Sequence, residues 1–210
     1  MTEQKQEANK GKFAYVCFTC LRDEPLLPLH YSAIMRADPL AEVYYQVEDT
    51  EADKITIPSG AYLLPAKWKH NGNLIGIDAL KGIVETYKLV ADNTGRVVVK
   101  IDSDTILLST GWLNIIADGK ADMIGYAPLT TLYAKGTCYA LSKDGINTVI
   151  EQLKSGSYWE CSKEVGRIED EVITMLCAIG TDKNRVRILQ PKLPDNSIVL
   201  YTAFTHGFYS

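Results

Sequence analysis

Residues 97–104, Val-Val-Val-Lys-Ile-Asp-Ser-Asp, decide how this chain is read. A run of β-branched residues ends abruptly in two carboxylates, Asp102 and Asp104, one residue apart. Val97, Val98, Val99 and Ile101 predict a strand buried on both faces, the kind that lies inside a parallel sheet. Such a strand delivers its C-terminal residues to the sheet edge, where open α/β folds bind ligands. Two hard oxygen ligands at that edge suit Mg2+ or Mn2+, and such a cation can carry a diphosphate. The plainer reading is a solvated strand end or an Asx turn. An isolated Asp-x-Asp arises about once by chance in a chain of this length, so the strand before it supplies the weight.

Elements on either side fit an α/β alternation. Phe13–Thr19 reads as a first strand, followed by a helix whose Leu29, Ala33, Ile34 and Ala37 share a face up to the Asp38-Pro39 stop. Glu42–Val47 reads as a second strand ending in Glu48, Asp49 and Glu51, and Ile55–Leu64 as an irregular stretch punctuated by proline and glycine. Ile77, Leu80, Val84 and Tyr87 predict a helix over Leu74–Val90, closed by a turn at Asp92–Gly95. Beyond the DSD come a short helix at Gly111–Ala117, a strand at Met123–Tyr126 and a helix capped by Ser142 with Ile146, Val149, Ile150 and Leu153 inward. A loop rich in Gly, Ser and aromatics leads to an apolar stripe of Ile168, Val172, Met175, Leu176 and Ile179, with Gly180 placed as a C-cap. Val186–Leu189 is the last strand. With no repeat or linker in view, residues 13–210 are expected to form one α/β domain after a disordered polar tail at 1–12.

Hydrophobic residues make up 46% and charged residues 23% of the 210, ordinary for a globular chain with a full core. A formal net charge of −4 argues against a general nucleic-acid or anionic-membrane surface. No apolar run approaches the ~18–20 residues of a transmembrane helix, and the polar N-terminus lacks the apolar core of a signal peptide. The five cysteines are scattered and mostly in apolar contexts, which fits reduced thiols in a cytoplasmic protein. Cys17 and Cys20 form a CxxC, the pattern of a redox pair or half a zinc site, but no second pair or histidine couple completes a zinc set and the motif falls partly within a strand, so buried thiols are expected.

Val97–Leu108 resembles the strand and DxD motif of GT-A-fold, nucleotide-sugar-dependent glycosyltransferases, most closely the Fringe and β-galactosyltransferase group, where a Lys precedes the acidic triplet in the same way. Other motifs follow in the order that family requires. Asn73-Leu74 and Asp78-Ala79-Leu80-Lys81 resemble its helix before the DxD strand. Tyr133–Asp144 (YAKGTCYALSKD) is similar to its glycine loop and Leu-Ser-Lys/Arg-Asp helix start. Ile168–Gly180 resembles its Glu-Asp-Val helix, and His206 sits where many such enzymes place a C-terminal histidine on the metal. The similarity spans about half the chain, Leu74 to Gly180.

The resemblance implies a single-domain GT-A fold with a mostly parallel central sheet flanked by helices. It also implies a metal-dependent, inverting transfer of a sugar from a nucleotide-diphosphate donor, a UDP-sugar, to a saccharide or other hydroxyl acceptor. Asp102, Asp104 and His206 would hold Mn2+ or Mg2+, and Asp170, with Glu169 beside it, would serve as base. Thr19 and Arg22 after the first strand, Asp49 after the second, Lys81, Ser103 and Gly136 are positional candidates for the nucleotide. The residue chemistry agrees: Gly136 lets backbone approach a sugar or phosphate closely, and a carboxylate at a helix start is favoured in its ionised form. The plain alternative for Glu169, Asp170 and Glu171 is an acidic first turn of an amphipathic helix. Tyr158 and Trp159 are candidates for stacking on an acceptor sugar or for the core, while His30 and His70 have no partner motif and each reads as structural or solvent-exposed. The family's eukaryotic members carry a membrane anchor and disulfides, so a bacterial-type cytoplasmic enzyme is expected. Two other functions remain open from the residues: a haloacid-dehalogenase-type phosphatase with Asp102 as nucleophile, and a non-catalytic nucleotide-sugar binding protein.

Overall fold

The computed structural model describes residues 11–67, 76–127, 134, 138–165, 169–189 and 199–201. Its first half alternates strand and helix: β1 Phe13–Phe18, α1 Leu27–Ala37, β2 Glu42–Glu48, β3 Tyr62–Ala66, α2 Ile77–Thr94 and β4 Val97–Asp102. The second half holds β5 Thr105–Leu107, the single-turn α3 Asn114–Ala117, β6 Met123–Tyr126, β7 Cys138–Leu141, α4 Lys143–Lys154, α5 Tyr158–Val165, α6 Glu169–Gly180, β8 Val186–Leu189 and β9 Val199–Tyr201.

Seven strands form one sheet in the order β3-β2-β1-β4-β7-β6-β8, while β5 and β9 pair separately. Among the described strands of the large sheet, β7 runs against both its neighbours, and the other pairings are parallel. The chain moves outward from β1 to β2 and β3, then returns across to β4 on the far side of β1. Strand order reverses there, and open α/β sheets bind their ligands at the C-terminal strand ends beside such a reversal. Asp102 ends β4 opposite Phe18, the last residue of β1. The motif thus reaches the switch point because a parallel strand of β-branched residues carries it there.

Alternation along the strands builds two cores. Val16, Val98, Tyr139 and Leu141 pack with Leu80, Ile83, Val84 and Tyr87 of α2 and with the inner faces of α4 and α6. Tyr15, Cys17, Val99, Ile101 and Cys138 pack on the other side with Leu27 and Ile34 of α1. β4 is buried on both faces, as its composition requires: Val98, Val99, Lys100 and Ile101 are all inaccessible. Ser142 caps α4, its Oγ accepting from the Gly145 amide at 3.0 Å.

Several elements differ from the reading of the sequence. Residues 1–10 and Leu74 lie outside the described residues, while at Lys12 the main chain already accepts a bond from the Val97 amide at 3.1 Å. Leu29 is 59% exposed, because α1 starts at Leu27 and its phase turns Leu27, His30, Ala33 and Ile34 inward. The stretch expected to be irregular contains β3, the edge strand among the described residues, where Pro65 is tolerated because no described strand pairs with its outer side. Asp92–Thr94 forms the last turn of α2, closed by Gly95 at φ 69°. The loop after α4 holds α5, whose Tyr158 and Cys161 are buried. Gly180 is no left-handed cap; a Cβ there would lie 2.4 Å from Thr148 Cγ2, so its missing side chain lets α6 pass closely over α4.

Candidate active site at the C-terminal edge of the sheet

The period of two along β4 puts Lys100 and Asp102 on the face covered by α2 and α6. Lys100 is 3% exposed, and its Nζ donates to Asp102 Oδ1 at 2.5 Å. The ammonium lies 5.7 Å from the ring centre of Phe18 and 5.9 Å from that of Tyr139. Burial alone would push this lysine down. The carboxylates of Asp102, Glu169 and Asp170 outweigh it and hold Lys100 above its ordinary value. Burial likewise pushes Asp102 up, and Lys100 pulls against that effect.

The first turn of α6 completes the cluster from above. Glu169 is 8% exposed and accepts from Tyr139 Oη at 2.5 Å and from Tyr87 Oη at 3.4 Å. The two phenol oxygens are 2.9 Å apart. Burial and the neighbouring Glu169 push both phenols well above their ordinary value, so they remain protonated donors. Asp170 is buried beside them, and its main-chain carbonyl accepts from Thr174 Oγ1 at 2.7 Å. Two acidic motifs far apart in the chain therefore meet around one buried lysine. Glu169 is tied to tyrosines, which makes it an anchor for the helix start.

On the opposite side of β4 a second brace joins the strand exits. Ser103 Oγ donates to Asp23 Oδ2 at 2.9 Å, and Arg22 Nε contacts Asp23 Oδ1 at 3.2 Å. Asp23, 8% exposed, had no signal in the sequence beyond following β1. Thr19 stands at the mouth of β1, held by its amide on Gln46 O at 2.9 Å. Its buried Oγ1 has no hydrogen-bond partner among the described residues. Arg22 is largely exposed, and Asp49 opens the exposed turn after β2.

Lys81 lies elsewhere, in a cavity of about 180 Å³ between α2 and α4 with Val84, Glu85, Ile150, Leu153 and Lys154. Tyr158 belongs to the core, while Trp159 is 52% exposed. Gly136, His206 and His70 lie outside the described residues. His30 is no surface residue. It is 1% exposed, and burial pushes its imidazole down to about 4. Cys17 is buried and Cys20 half-buried, both as free thiols. Among the described residues no helix is long and apolar enough to cross a membrane.

The donor set suits a hard divalent cation. Asp102 keeps about a third of its side chain open, 36%, and interacts electrostatically with Asp104. No group of three His, Cys, Asp or Glu capable of holding a metal occurs among the described residues. Two carboxylates are nonetheless what Mg2+ commonly takes from a protein when substrate phosphates and water supply the rest.

No protein-family model and no curated protein matches the chain. Solved structures do. The glycosyltransferase GlyE of Streptococcus pneumoniae TIGR4 is similar over 86% of this chain and 45% of its own, at TM-score 0.51 and 14% identity. Its apo form is similar over 85% and 45%, at TM-score 0.53 and 14% identity. A mannosyltransferase of Pyrobaculum calidifontis, PcManGT, in complex with GDP-Man and Mn2+, aligns over 90% of this chain and 59% of its own at TM-score 0.49 and 14% identity. This chain spans less than half the length of GlyE. Likeness at this identity establishes the fold alone: a mixed α/β sheet matching that of these structures, as the resemblance implied.

Proposed function

We propose that this protein is a metal-dependent glycosyltransferase that moves a sugar from a nucleotide-diphosphate donor, a UDP-sugar, to a saccharide or other hydroxyl acceptor with inversion. One observation carries the reading: the DSD turn and the start of α6 converge on Lys100 at the switch point of a glycosyltransferase-type sheet. A phosphatase of the kind considered from the residues would need its DxD near the N-terminus, and here the motif ends β4.

Asp102 and Asp104 are the residues to hold Mn2+ or Mg2+, with His206 as a further candidate ligand. The cation supplies charge neutralisation for the departing diphosphate. Thr19, whose hydroxyl has no partner among the described residues, is a candidate for the nucleotide, and Arg22, Asp49, Ser103 and Gly136 are further candidates. Asp170 takes the proton of the acceptor hydroxyl while the acceptor oxygen bonds to the anomeric carbon and the bond from that carbon to the diphosphate breaks. Lys100 and the Tyr87–Tyr139 pair fix the first turn of α6 so that Asp170 is held in place. Glu169 acts as that anchor. Calorimetry of UDP binding with and without Mn2+ tests the reading. Metal-dependent binding by the unaltered chain and its loss in Asp104→Asn are expected; equal binding in both would remove the DSD from the site.

A further inference from the structure

Lys100 and Asp102 share one face of β4, and the buried lysine is bonded to the carboxylate two residues on. Its Nζ donates to Asp102 Oδ1 at 2.5 Å. Oδ2 has no hydrogen bond among the described residues, in a side chain that stays 36% open. The register sets Phe18 of β1 opposite Asp102 and Tyr139 of β7 opposite Lys100. Their ring centres lie 5.7 Å and 5.9 Å from the ammonium, so an aromatic wall from each neighbouring strand confines it.

A buried ammonium gives up a carboxylate only at high cost. A cation arriving at the DSD turn therefore meets an aspartate with one oxygen already committed. Divalent ions differ in what they can make of that. Mg2+ is small and octahedral; it takes one or two carboxylates and completes its shell with water and phosphate oxygens. Mn2+ shares that octahedral oxygen geometry. Ca2+ gathers about six to eight oxygens and draws on carboxylates that offer both of theirs. A carboxylate limited to one oxygen suits the first two ions and starves the third.

We propose that Lys100 is a positioning residue that sets which cation the DSD turn accepts: by holding Oδ1 it leaves Asp102 a one-oxygen ligand, and so favours Mg2+ and Mn2+ over Ca2+. This inference rests on the metal reading above and adds to it the selection of the ion. Without the ammonium Asp102 is free to present both oxygens, and the bias against Ca2+ falls.

The test follows Mn2+ held by the full chain with UDP, from the free-ion spin-resonance signal, against a protein-free control containing the same UDP. Mg2+ or Ca2+ is then added in competition, for the unaltered protein and for Lys100→Met. Removing a positive charge strengthens both divalent ions alike, so the reading is the ratio of Ca2+ to Mg2+ affinity, in which that effect cancels. Outer-shell partners of metal ligands are typically worth about 10–100-fold in affinity. In Lys100→Met the ratio is expected to move toward Ca2+ by about 10-fold or more. If both proteins bind Mn2+ and the ratio is unchanged or moves toward Mg2+, the inference is wrong and the metal reading stands. Nitrogen NMR of the Lys100 side chain in the unaltered protein gives a second reading, and it decides alone where the variant does not fold. The Nζ–H signal should stay protected from exchange with water at saturating Mg2+. Loss of that protection would mean that the ammonium leaves Asp102 when the cation binds, which overturns the inference. No Mn2+ binding by the unaltered chain overturns the metal reading and the inference together.

Discussion

Replacing Lys100 by Met is the most demanding test of the buried cluster. Methionine keeps much of the aliphatic stem packed between Phe18 and Tyr139 and removes only the charge. Asp102, Glu169 and Asp170 are then left around a site with no ammonium. Breaking a buried ion pair by removing one partner costs about 3–5 kcal/mol. Asp102 is 36% exposed, and water re-entering beside it offsets part of that cost. A loss of about 3 kcal/mol at neutral pH is therefore expected, or roughly 6–12 °C in Tm for a chain of this size. The loss must depend on pH. Asp102 is raised in the folded state by burial despite Lys100, so without the lysine it rises further. A raised carboxyl favours the fold while it is protonated and loses that benefit as pH climbs through its folded value. Lys100→Met should thus be hurt least in mild acid and most at neutral pH. Urea unfolding followed by far-UV circular dichroism from pH 4.5 to 8 reads both quantities. A difference between variant and parent that stays constant across that range would refute the electrostatic account and leave lost packing as the cause.

Other substitutions probe separate parts of the structure. Asp170→Asn should bind donor and metal normally and lose transfer; a fully active variant in a product-release assay removes Asp170 from the mechanism. Asp122 is 3% exposed, and Arg185 beside it, bonding through Nε at 2.6 Å and through a terminal nitrogen at 2.7 Å, holds its carboxyl below the usual value. A depressed carboxyl stabilises the fold above its unfolded value and loses that contribution as pH falls through the folded one. Asp122→Asn should accordingly lower Tm at pH 7 and narrow the gap to the parent below about pH 4; an unchanged gap would contradict the pairing. Gly180→Ala drives a methyl into Thr148 and should cost about 1–3 kcal/mol. The additional change Thr148→Ala should restore most of it, and a double variant no better than the single would locate the strain elsewhere.

The parts of this fold that could be read from the chain are those where local chemistry and tertiary role coincide. β4 is β-branched because it is buried on both faces, and Ser142 caps α4 through a bond three residues away. β3 escaped because edge strands need little β-propensity and admit proline. α5 escaped because its aromatic and polar residues lack a clean stripe, although Tyr158 and Cys161 point inward. Within the site, the two acidic motifs were visible one at a time. Their meeting through Tyr87, Tyr139 and Lys100 depends on strand order, which no local pattern encodes. One signal was there to use: a lysine in the middle of a doubly buried strand requires carboxylates nearby, and Val-Val-Val-Lys-Ile-Asp supplied only one of them.

That lysine also bears on how the chain is made. Val97–Ile101 is a stretch of high β-propensity, and a charge such as Lys100 within a segment of that kind guards it against pairing with other chains before folding is complete. Glu169 and Asp170 follow far downstream, so an emerging chain displays β4 with Lys100 before those counter-charges exist. The same ammonium that the finished protein surrounds with three carboxylates has only Asp102 beside it in the chain until α6 is made.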